Sequence, residues 1–576
     1  MDIPKFLTAA EAYPLPTNAD GTQMRFSYGT AGFRTVGTTL RSTVFRCGAL
    51  AAIRSRVTGR ACGIVITASH NPEADNGVKL VDCTGGMLPT TWEADAEVLA
   101  NAPDAEAMRA VIQKLLETDE PAETLHPPPP ADFAADPPAP HVFLARDTRP
   151  TGPELAAAAS AGAAAAGAVV TDLGLSTTPQ GHFTVYAAYR GWPRTEADYY
   201  ARLARGYATL CGFQSESNDP TPDAPIFVDC ANGVGAEKFV RLLDALEAAG
   251  APLPAELRND RVSPGALNKD VGADFVQKER SVPKNGGFDS LPPTSKCVSV
   301  DGDADRLVYF YRDSTNPERG VRLLDGDKIA ALVATRVGDL LSRCGETLKE
   351  TLRVGVVQTA YANGASTRYI ENTLGLETMC TPTGVKHLHP AAETFDVGVY
   401  FEANGHGTAL FSDAALSAIA ARAADEAVSD AARAAAKSLL ALAETINPAV
   451  GDALSGVLVV EAVLKAKRWR LEDWDAMYAD LPSKQVKVRV RDRSVIVTAD
   501  AERRVVRPEG MQAAIDAAVT ACGEGSAARA FARPSGTEDV VRVYAEARTR
   551  ETADALALSL AEIVYARAGG LGDEPW

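Results

Sequence analysis

The sequence predicts an α/β protein that changes to an α+β pattern near its carboxyl end. Short apolar runs closing in polar or glycine-rich turns recur at Cys62–Thr67, Ala224–Cys230, Lys296–Val300, Leu352–Val357 and Phe395–Phe401. Strand, turn and helix in repeated succession mark α/β units with a parallel component. From Gln485 the pattern alternates instead: QVKVRV, SVIVTA, a helix over Glu509–Thr520, then ARAFARPSG and VVRVYAEA. The chain has 576 residues, which at roughly 150 residues per domain suggests about four domains.

The strand at Cys62–Thr67 leads into Ser69, and the run at Ala224–Cys230 leads through a glycine-rich turn into a helix over Ala236–Ala248. In such units ligands gather at the carboxyl ends of strands, where these polar turns fall. Between a helix at Asp104–Glu117 and a strand at His141–Ala145 lies Pro127–Pro140, PPPPADFAADPPAP. Its prolines lack amide donors, so it is expected to loop out. The Ala- and Gly-rich run Leu155–Val170 reads as a buried helix, Ser412–Leu442 as one long helix, and Trp469–Leu481 as a helix with a short connection. A last domain is placed from about Pro482 to the end.

Hydrophobic residues make up 46% of the chain, enough for several cores, and the net charge is −17. An acidic surface repels nucleic acid and anionic lipid, so neither is expected as a partner. It also repels anionic substrates, so any phosphate site must be locally basic. The nine cysteines form no C-x-x-C pair, as expected of reduced thiols rather than a disulfide framework or zinc ribbon. Met1–Lys5 has no basic region or apolar core of a signal peptide, and no run has the ~20 strongly apolar residues of a membrane span. A cytoplasmic protein is expected.

Four loops carry chemistry-bearing residues. Thr67-Ala68-Ser69-His70-Asn71-Pro72 is either a simple turn or the seat of a nucleophile; no G-x-S-x-G surrounds Ser69, so esterase chemistry has little support. His70 and Lys79 are acid/base candidates by position, though His70 could equally orient the loop. In Asp301-Gly302-Asp303-Ala304-Asp305-Arg306, carboxylates at every second position suit a hard cation. Arg306 and Arg312 stand where an EF-hand needs Gly and Glu. Three Asp ligands leave room for a phosphate oxygen and water, the arrangement of Mg²⁺ at phosphoryl-transfer sites.

Glu402-Ala403-Asn404-Gly405-His406-Gly407-Thr408 offers acceptors and donors suited to sugar hydroxyls, and Thr383-Gly384-Val385-Lys386-His387 lies upstream. Arg533-Pro534-Ser535-Gly536-Thr537-Glu538 combines a guanidinium fork, hydroxyls and a glycine turn, a cradle for a phosphate dianion. Each of these loops is also a plausible surface turn when taken alone.

TASHNP, DGDADR, a Glu-containing sugar loop and RPSGTE, in this order, resemble the signature of the α-D-phosphohexomutases and span nearly the whole chain. Many members carry G-E-x-S-G in the sugar loop. Here EANGHGT, with TGVKHLH upstream, is similar instead to the phosphoacetylglucosamine mutase branch.

The resemblance implies four domains around a central cleft: similar α/β domains at 1–193, 194–320 and 321–481, and a smaller α+β domain at 482–576. It implies a resting enzyme phosphorylated on Ser69, with Mg²⁺ held by Ser69, Asp301, Asp303 and Asp305. It implies interconversion of N-acetylglucosamine 6-phosphate and 1-phosphate through a sugar 1,6-bisphosphate, which also serves as activator, in UDP-N-acetylglucosamine biosynthesis. Arg34, in Tyr28–Arg34 (YGTAGFR), is expected at the reacting phosphate, with His70 and Lys79 as further catalytic residues. Arg306, Thr383, Gly384, Lys386, His387, Glu402, Asn404, His406, Arg533, Ser535, Gly536 and Thr537 are expected to bind substrate. Arg149, in Arg146-Asp147-Thr148-Arg149, matches another family motif and could equally be a structural ion pair.

Two other readings stay open: a Mg²⁺-dependent phosphatase with an Asp nucleophile from DGDADR, and a non-catalytic sugar-phosphate sensor.

Overall fold

The computed structural model describes residues 1–30, 32–118, 140–212, 224–313, 320–536 and 539–573. Most of Pro127–Pro140, together with Thr537 and Glu538, lies outside the described residues. The strands, in chain order, are β1 (Phe33–Val36), β2 (Cys62–Ile66), β3 (Asp75–Val81), β4 (His141–Arg146), β5 (Val169–Leu175), β6 (Ile226–Asp229), β7 (Ala255–Arg258), β8 (Cys297–Val300), β9 (Leu307–Arg312) and β10 (Val321–Leu324). They continue with β11 (Val354–Thr359), β12 (Glu377–Thr381), β13 (Val397–Phe401), β14 (Gly407–Phe411), β15 (Ser483–Arg489), β16 (Val497–Ala499), β17 (Arg504–Arg507), β18 (Arg529–Pro534) and β19 (Val540–Glu546).

Two compact units form. One comprises Met1–Asp325, Asn404–Thr408 and Ser438–Leu471; the other comprises Gly326–Ala403, Ala409–Lys437 and Glu472–Trp576.

The first unit holds two mixed sheets, ordered β1-β3-β2-β4-β5 and β10-β9-β8-β6-β7. In each, three neighbouring strands run parallel and the next turns back: β2, β4 and β5 with β3 antiparallel to β2, and β6, β7 and β8 with β9 antiparallel to β8. A four-stranded sheet, β12-β11-β13-β14, repeats the parallel core around β11, with β14 beside β13. The Ser69 loop, the Asp301 loop and the Glu402 loop therefore occupy one topological position: each joins the end of a buried strand to its next neighbour. The antiparallel partners β3 and β9 were not among the strands expected from the sequence.

The Ala- and Gly-rich run at 155–170 has a packing cause. The helix Gly152–Ala165 lies against Arg41–Thr58 so closely that a Cβ on Gly162 would stand 1.8 Å from Phe45 O, and one on Gly48 2.1 Å from Ala159 O. Only backbone fits there, so small residues are selected over large apolar ones. The run is a helix to Ala165 and then turns into β5.

The second unit carries the C-terminal sheet β15-β19-β18 and the hairpin β16-β17. Its core packs Val488, Val541 and Val543 against Leu556, Leu560 and Val564 of the helix Arg550–Ala568. Within this unit the C-terminal sheet ties to the end of β11. Glu546 accepts from Gly364 N at 3.1 Å and pairs with Arg529 at 2.9 Å. Tyr361 meets Phe531 and Tyr544 edge-on.

The expected long helix at 412–442 is two helices, Asp413–Ala424 and Asp430–Thr445. Alanine richness hid the break. Asp425 accepts from Ala427 N at 2.9 Å and Ser429 caps the second helix through Ala432 N, local bonds that compete with a continuing helix. The helix within Trp469–Leu481 covers only Leu471–Asp475. All nine cysteines are free. Among the described residues no helix is long and apolar enough to cross a membrane.

Candidate active site

β2 is buried along its whole length and delivers Ser69 three residues past its carboxyl end. Ser69 has φ +52°, the left-handed region that a non-glycine residue enters at a cost of about 1–3 kcal/mol. Its amide donates to Thr67 Oγ1 at 2.9 Å, and that hydroxyl lies 2.7 Å from Asp147 Oδ2. Asp147 in turn receives Arg149 Nε at 3.1 Å. The Arg149 guanidinium also donates to the carbonyls of Ser69, Asn71, Pro72 and Asp75. Arg149 thus makes an ion pair with Asp147 and braces the loop.

The Ser69 hydroxyl is buried and donates to Asp301 Oδ2 at 2.6 Å. Asp301, Asp303 and Asp305 are all buried, and one carboxylate oxygen from each lies within 4.8 Å of the others. Among the described residues, Asp303 Oδ1 and Asp305 Oδ1 have no hydrogen-bond partner. Burial, then the charges of Asp305 and Asp303, pushes the Asp301 carboxyl well above its ordinary value. For Asp303, burial and Asp305 oppose ionisation, but Lys79 and Thr178 outweigh them and hold it low. For Asp305, burial is outweighed by Lys79, His406 and Arg306. Lys79 is itself buried, 3.0 Å from Asp303 Oδ2 and 2.7 Å from Asp305 Oδ2. Buried hard oxygens, two of them unsatisfied, fit a divalent cation such as Mg²⁺.

Around this acidic group the site is basic, as an anion site in an acidic protein requires. The charge of Arg306, followed by burial, Arg34 and Lys278, drives the His70 imidazole far below its ordinary value. His70 is therefore neutral, and among the described residues its buried Nδ1 has no hydrogen-bond partner. Burial and Arg306 also lower the Arg34 guanidinium, whose Nη1 lies 3.2 Å from Asn71 Oδ1. His406 Nδ1 sits 2.7 Å from the Asp305 carbonyl oxygen and 3.5 Å from Asp305 Oδ1, so it borders the metal loop directly. Asn404 Oδ1 accepts from His406 N at 2.9 Å and shapes that turn. The first unit thus gathers Arg34, Ser69, His70, Lys79, Asp301, Asp303, Asp305, Arg306 and His406.

The second unit joins two other expected residues. Glu502, in the turn between β16 and β17, accepts from Thr383 N at 3.0 Å and Thr383 Oγ1 at 2.6 Å, and from Arg533 Nη1 at 2.8 Å. Arg533 Nε also donates to Tyr361 Oη at 3.1 Å. Gly384 has φ +120° and precedes the helix Val385–Ala392, which carries Lys386 and His387 in its first turn. Glu402 is half-buried, Ser535 is buried with its amide on Val540 O at 2.9 Å, and Gly536 is exposed. Thr537 is outside the described residues.

Sequence reasoning missed Thr67, Asp147, Thr178 and Glu502. Thr178 donates to Asp303 Oδ2 at 2.6 Å from the start of a helix far along the chain. Thr67 lies in the Ser69 loop and Asp147 in the Arg146–Arg149 motif, whereas Thr178 and Glu502 belong to no motif read from the sequence.

Four family models match in chain order. They are phosphoglucomutase/phosphomannomutase alpha/beta/alpha domain I at 43–106 and 132–190, and phosphoacetylglucosamine mutase AMG1 domain II at 192–308. Phosphoacetylglucosamine mutase AMG1 domain III follows at 325–469, and the phosphoglucomutase/phosphomannomutase C-terminal domain at 485–563. The phosphoacetylglucosamine mutase of Arabidopsis thaliana is 44% identical, over 98% of each chain. The chain belongs to the phosphoacetylglucosamine mutase family.

The solved structures agree with this family placement. Aspergillus fumigatus N-acetylphosphoglucosamine mutase in complex with GlcNAc-6P and magnesium aligns with TM-score 0.87 and 40% identity over 99% of both chains. The same enzyme in complex with glucose 1,6-bisphosphate aligns with TM-score 0.85 and 41% identity, over 98% of this chain and 99% of that one. In phosphoacetylglucosamine mutase terms, Ser69 falls within the domain I match, Asp301–Arg306 within domain II, Thr383–His406 within domain III and Arg533 within the C-terminal match.

Proposed function

We propose that the protein interconverts N-acetylglucosamine 6-phosphate and N-acetylglucosamine 1-phosphate through a phosphorylated Ser69 and a sugar 1,6-bisphosphate. The observation that carries this reading is the Ser69 hydroxyl, 2.6 Å from Asp301 inside a buried three-carboxylate group, in a chain of this family. Ser69, Asp301, Asp303 and Asp305 would hold Mg²⁺, which when bound supplies charge neutralisation at the transferring phosphoryl group.

Phosphoserine gives its phosphoryl group to the free sugar hydroxyl: the P–Oγ bond breaks, a new P–O bond forms on the sugar, the hydroxyl loses its proton and Ser69 Oγ takes one up, with His70 and Lys79 carrying the proton. The bisphosphate turns, and its other phosphoryl group returns to Ser69. Arg34 and Arg306 attract the reacting anion. Lys79 keeps Asp303 and Asp305 ionised, and neutral His70 orients the loop and the phosphate without adding charge. Glu402, Asn404, His406, Lys386, His387 and Gly384 grip the sugar. Arg533, Ser535, Gly536 and Thr537 take the phosphate that is not reacting. On this reading the domains run 1–193, 194–320, 321–481 and 482–576. The enzyme works on a small phosphosugar, in the cytoplasm and without nucleic acid or membrane, and its product is used for UDP-N-acetylglucosamine. The acidic composition and free thiols support that placement.

The test is turnover of N-acetylglucosamine 6-phosphate against glucose and mannose 6-phosphates, with Mg²⁺ and a trace of bisphosphate. Preference for the acetylated sugar is expected; preference for glucose or mannose phosphate would move the protein to another branch.

Arg533→Lys is expected to raise KM roughly tenfold with kcat nearly unchanged, because lysine cannot reproduce a bidentate phosphate fork. Glu502 opposes this binding, since its carboxylate occupies Arg533 Nη1 and both Thr383 donors. Steady-state kinetics of Glu502→Gln should show KM lowered about two- to fivefold, as an internal competing anion is removed.

A further inference from the structure

The Ser69 loop is held from a second side by a residue no motif contains. Asn268 lies in the loop between β7 and the helix Ala273–Glu279, with its own backbone at φ +56° and its amide on Ala231 O at 3.0 Å. Asparagine is among the few side chains that tolerate that conformation. Its Nδ2 donates to Ser69 O at 2.8 Å and Asn71 O at 3.1 Å. These are the same two carbonyl oxygens that Arg149 Nη2 reaches at 2.8 Å each. The left-handed turn at Ser69 thus points two carbonyls at one spot, where they repel unless donors stand between them and the rest of the protein.

Asn268 also touches the metal loop. A Cβ built on Gly302, between Asp301 and Asp303, would lie 2.8 Å from Asn268 Nδ2 and 3.0 Å from Ser69 O. Gly302 is glycine because the Asn268 amide and the Ser69 carbonyl fill the space a side chain would take. One amide, 199 residues from Ser69 in sequence, therefore bonds the serine loop and packs beside the carboxylate loop.

We infer that Asn268 is a positioning residue for the phosphoryl-carrying serine: it fixes Ser69 Oγ relative to Asp301 by holding the Ser69 and Asn71 carbonyls. Arg149 braces the loop from its own domain, and Asn268 holds it from beside the loop it must face. This inference rests on the mutase reading for its kinetic consequence, but not for its structural one.

Asn268→Asp in the full chain tests it. The substitution keeps size and the left-handed preference, and replaces the donor with an acceptor facing two carbonyl oxygens. The kcat for N-acetylglucosamine 6-phosphate should fall on the order of a hundredfold, the loss expected from misplacing a reacting atom by about 1 Å, with KM within about twofold. Amide hydrogen exchange over residues 67–76 should accelerate while the C-terminal sheet is unchanged. Gly302→Ala, which crowds the same amide, should give the same kinetic signature, and the double variant should be little worse than either single one.

Wild-type kcat in Asn268→Asp, or equal effects on kcat and KM, would overturn the inference, as would fully additive losses in the double variant. If Asn268→Asp does not fold, Gly302→Ala alone decides, with the same outcomes. If the wild-type protein isomerises no sugar phosphate yet Asn268→Asp still loosens 67–76, the mutase reading falls and the positioning contact stands.

Discussion

Replacing Ser69 by alanine is expected to abolish isomerisation of N-acetylglucosamine phosphates, a loss of at least about four orders of magnitude, because the covalent carrier is removed. Product formation by coupled assay and the intact mass of the protein are the readouts: no turnover, and no phosphate acquired from bisphosphate. The fold should survive, since the loop's bracing runs through backbone carbonyls, the Ser69 amide, Thr67 and Arg149 rather than through Ser69 Oγ. The same variant separates the mutase from a phosphatase with an aspartate nucleophile. A phosphatase would keep hydrolysing sugar phosphate without Ser69 and would lose activity in Asp301→Asn.

The second large effect concerns the carboxylate group. Chelating divalent cations is expected to reduce activity by at least about a thousandfold, with recovery on adding Mg²⁺, because electrostatic stabilisation is the main contribution to phosphoryl transfer. Asp303→Asn should raise the Mg²⁺ concentration needed for half-maximal rate by more than about tenfold and lower kcat, since it replaces the charge of one of the three aspartates with a neutral amide oxygen. It also takes a charge partner from buried Lys79, which keeps Asp305 at 2.7 Å. Thermal unfolding should show a loss of stability alongside the lost metal affinity, because a buried charge with fewer partners is costly. Mg²⁺ titrations of the rate in wild type and variant check this.

The sequence exposed the site where chemistry and chain order coincide. Asp301, Asp303 and Asp305 alternate along one loop, and alternation on a buried turn is enough to bring three carboxylates together. The strand ends at Ile66 and Val300 were readable from apolar runs, which is why Ser69 and Asp301 could be placed at strand termini. What could not be read was set by long-range packing. Lys79 is an acid/base candidate by position; that β3 runs back along β2 and brings its ammonium to Asp303 and Asp305 is set by long-range pairing.

The charges that lower the His70 imidazole, Arg306 and Lys278, come from far along the chain and leave no local pattern beside it. Asn268 and Glu502 carry no local pattern, because their partners are backbone carbonyls or distant donors. Ser429 was a legible helix cap inside an alanine-rich stretch, and composition outweighed it wrongly. The shared spatial arrangement of the three α/β sheets, parallel strands beside a hairpin, was hidden because the hairpin comes before its parallel neighbours in the chain in the first sheet and after them in the other two.

The most direct test of the central claim is a single-turnover transfer from protein phosphorylated with labelled phosphate and mapped to Ser69. Mixed with Mg²⁺ and N-acetylglucosamine 6-phosphate, it should pass its label to the sugar, giving labelled 1,6-bisphosphate and then labelled monophosphate. Label that stays on the protein, or leaves only as inorganic phosphate, would contradict it.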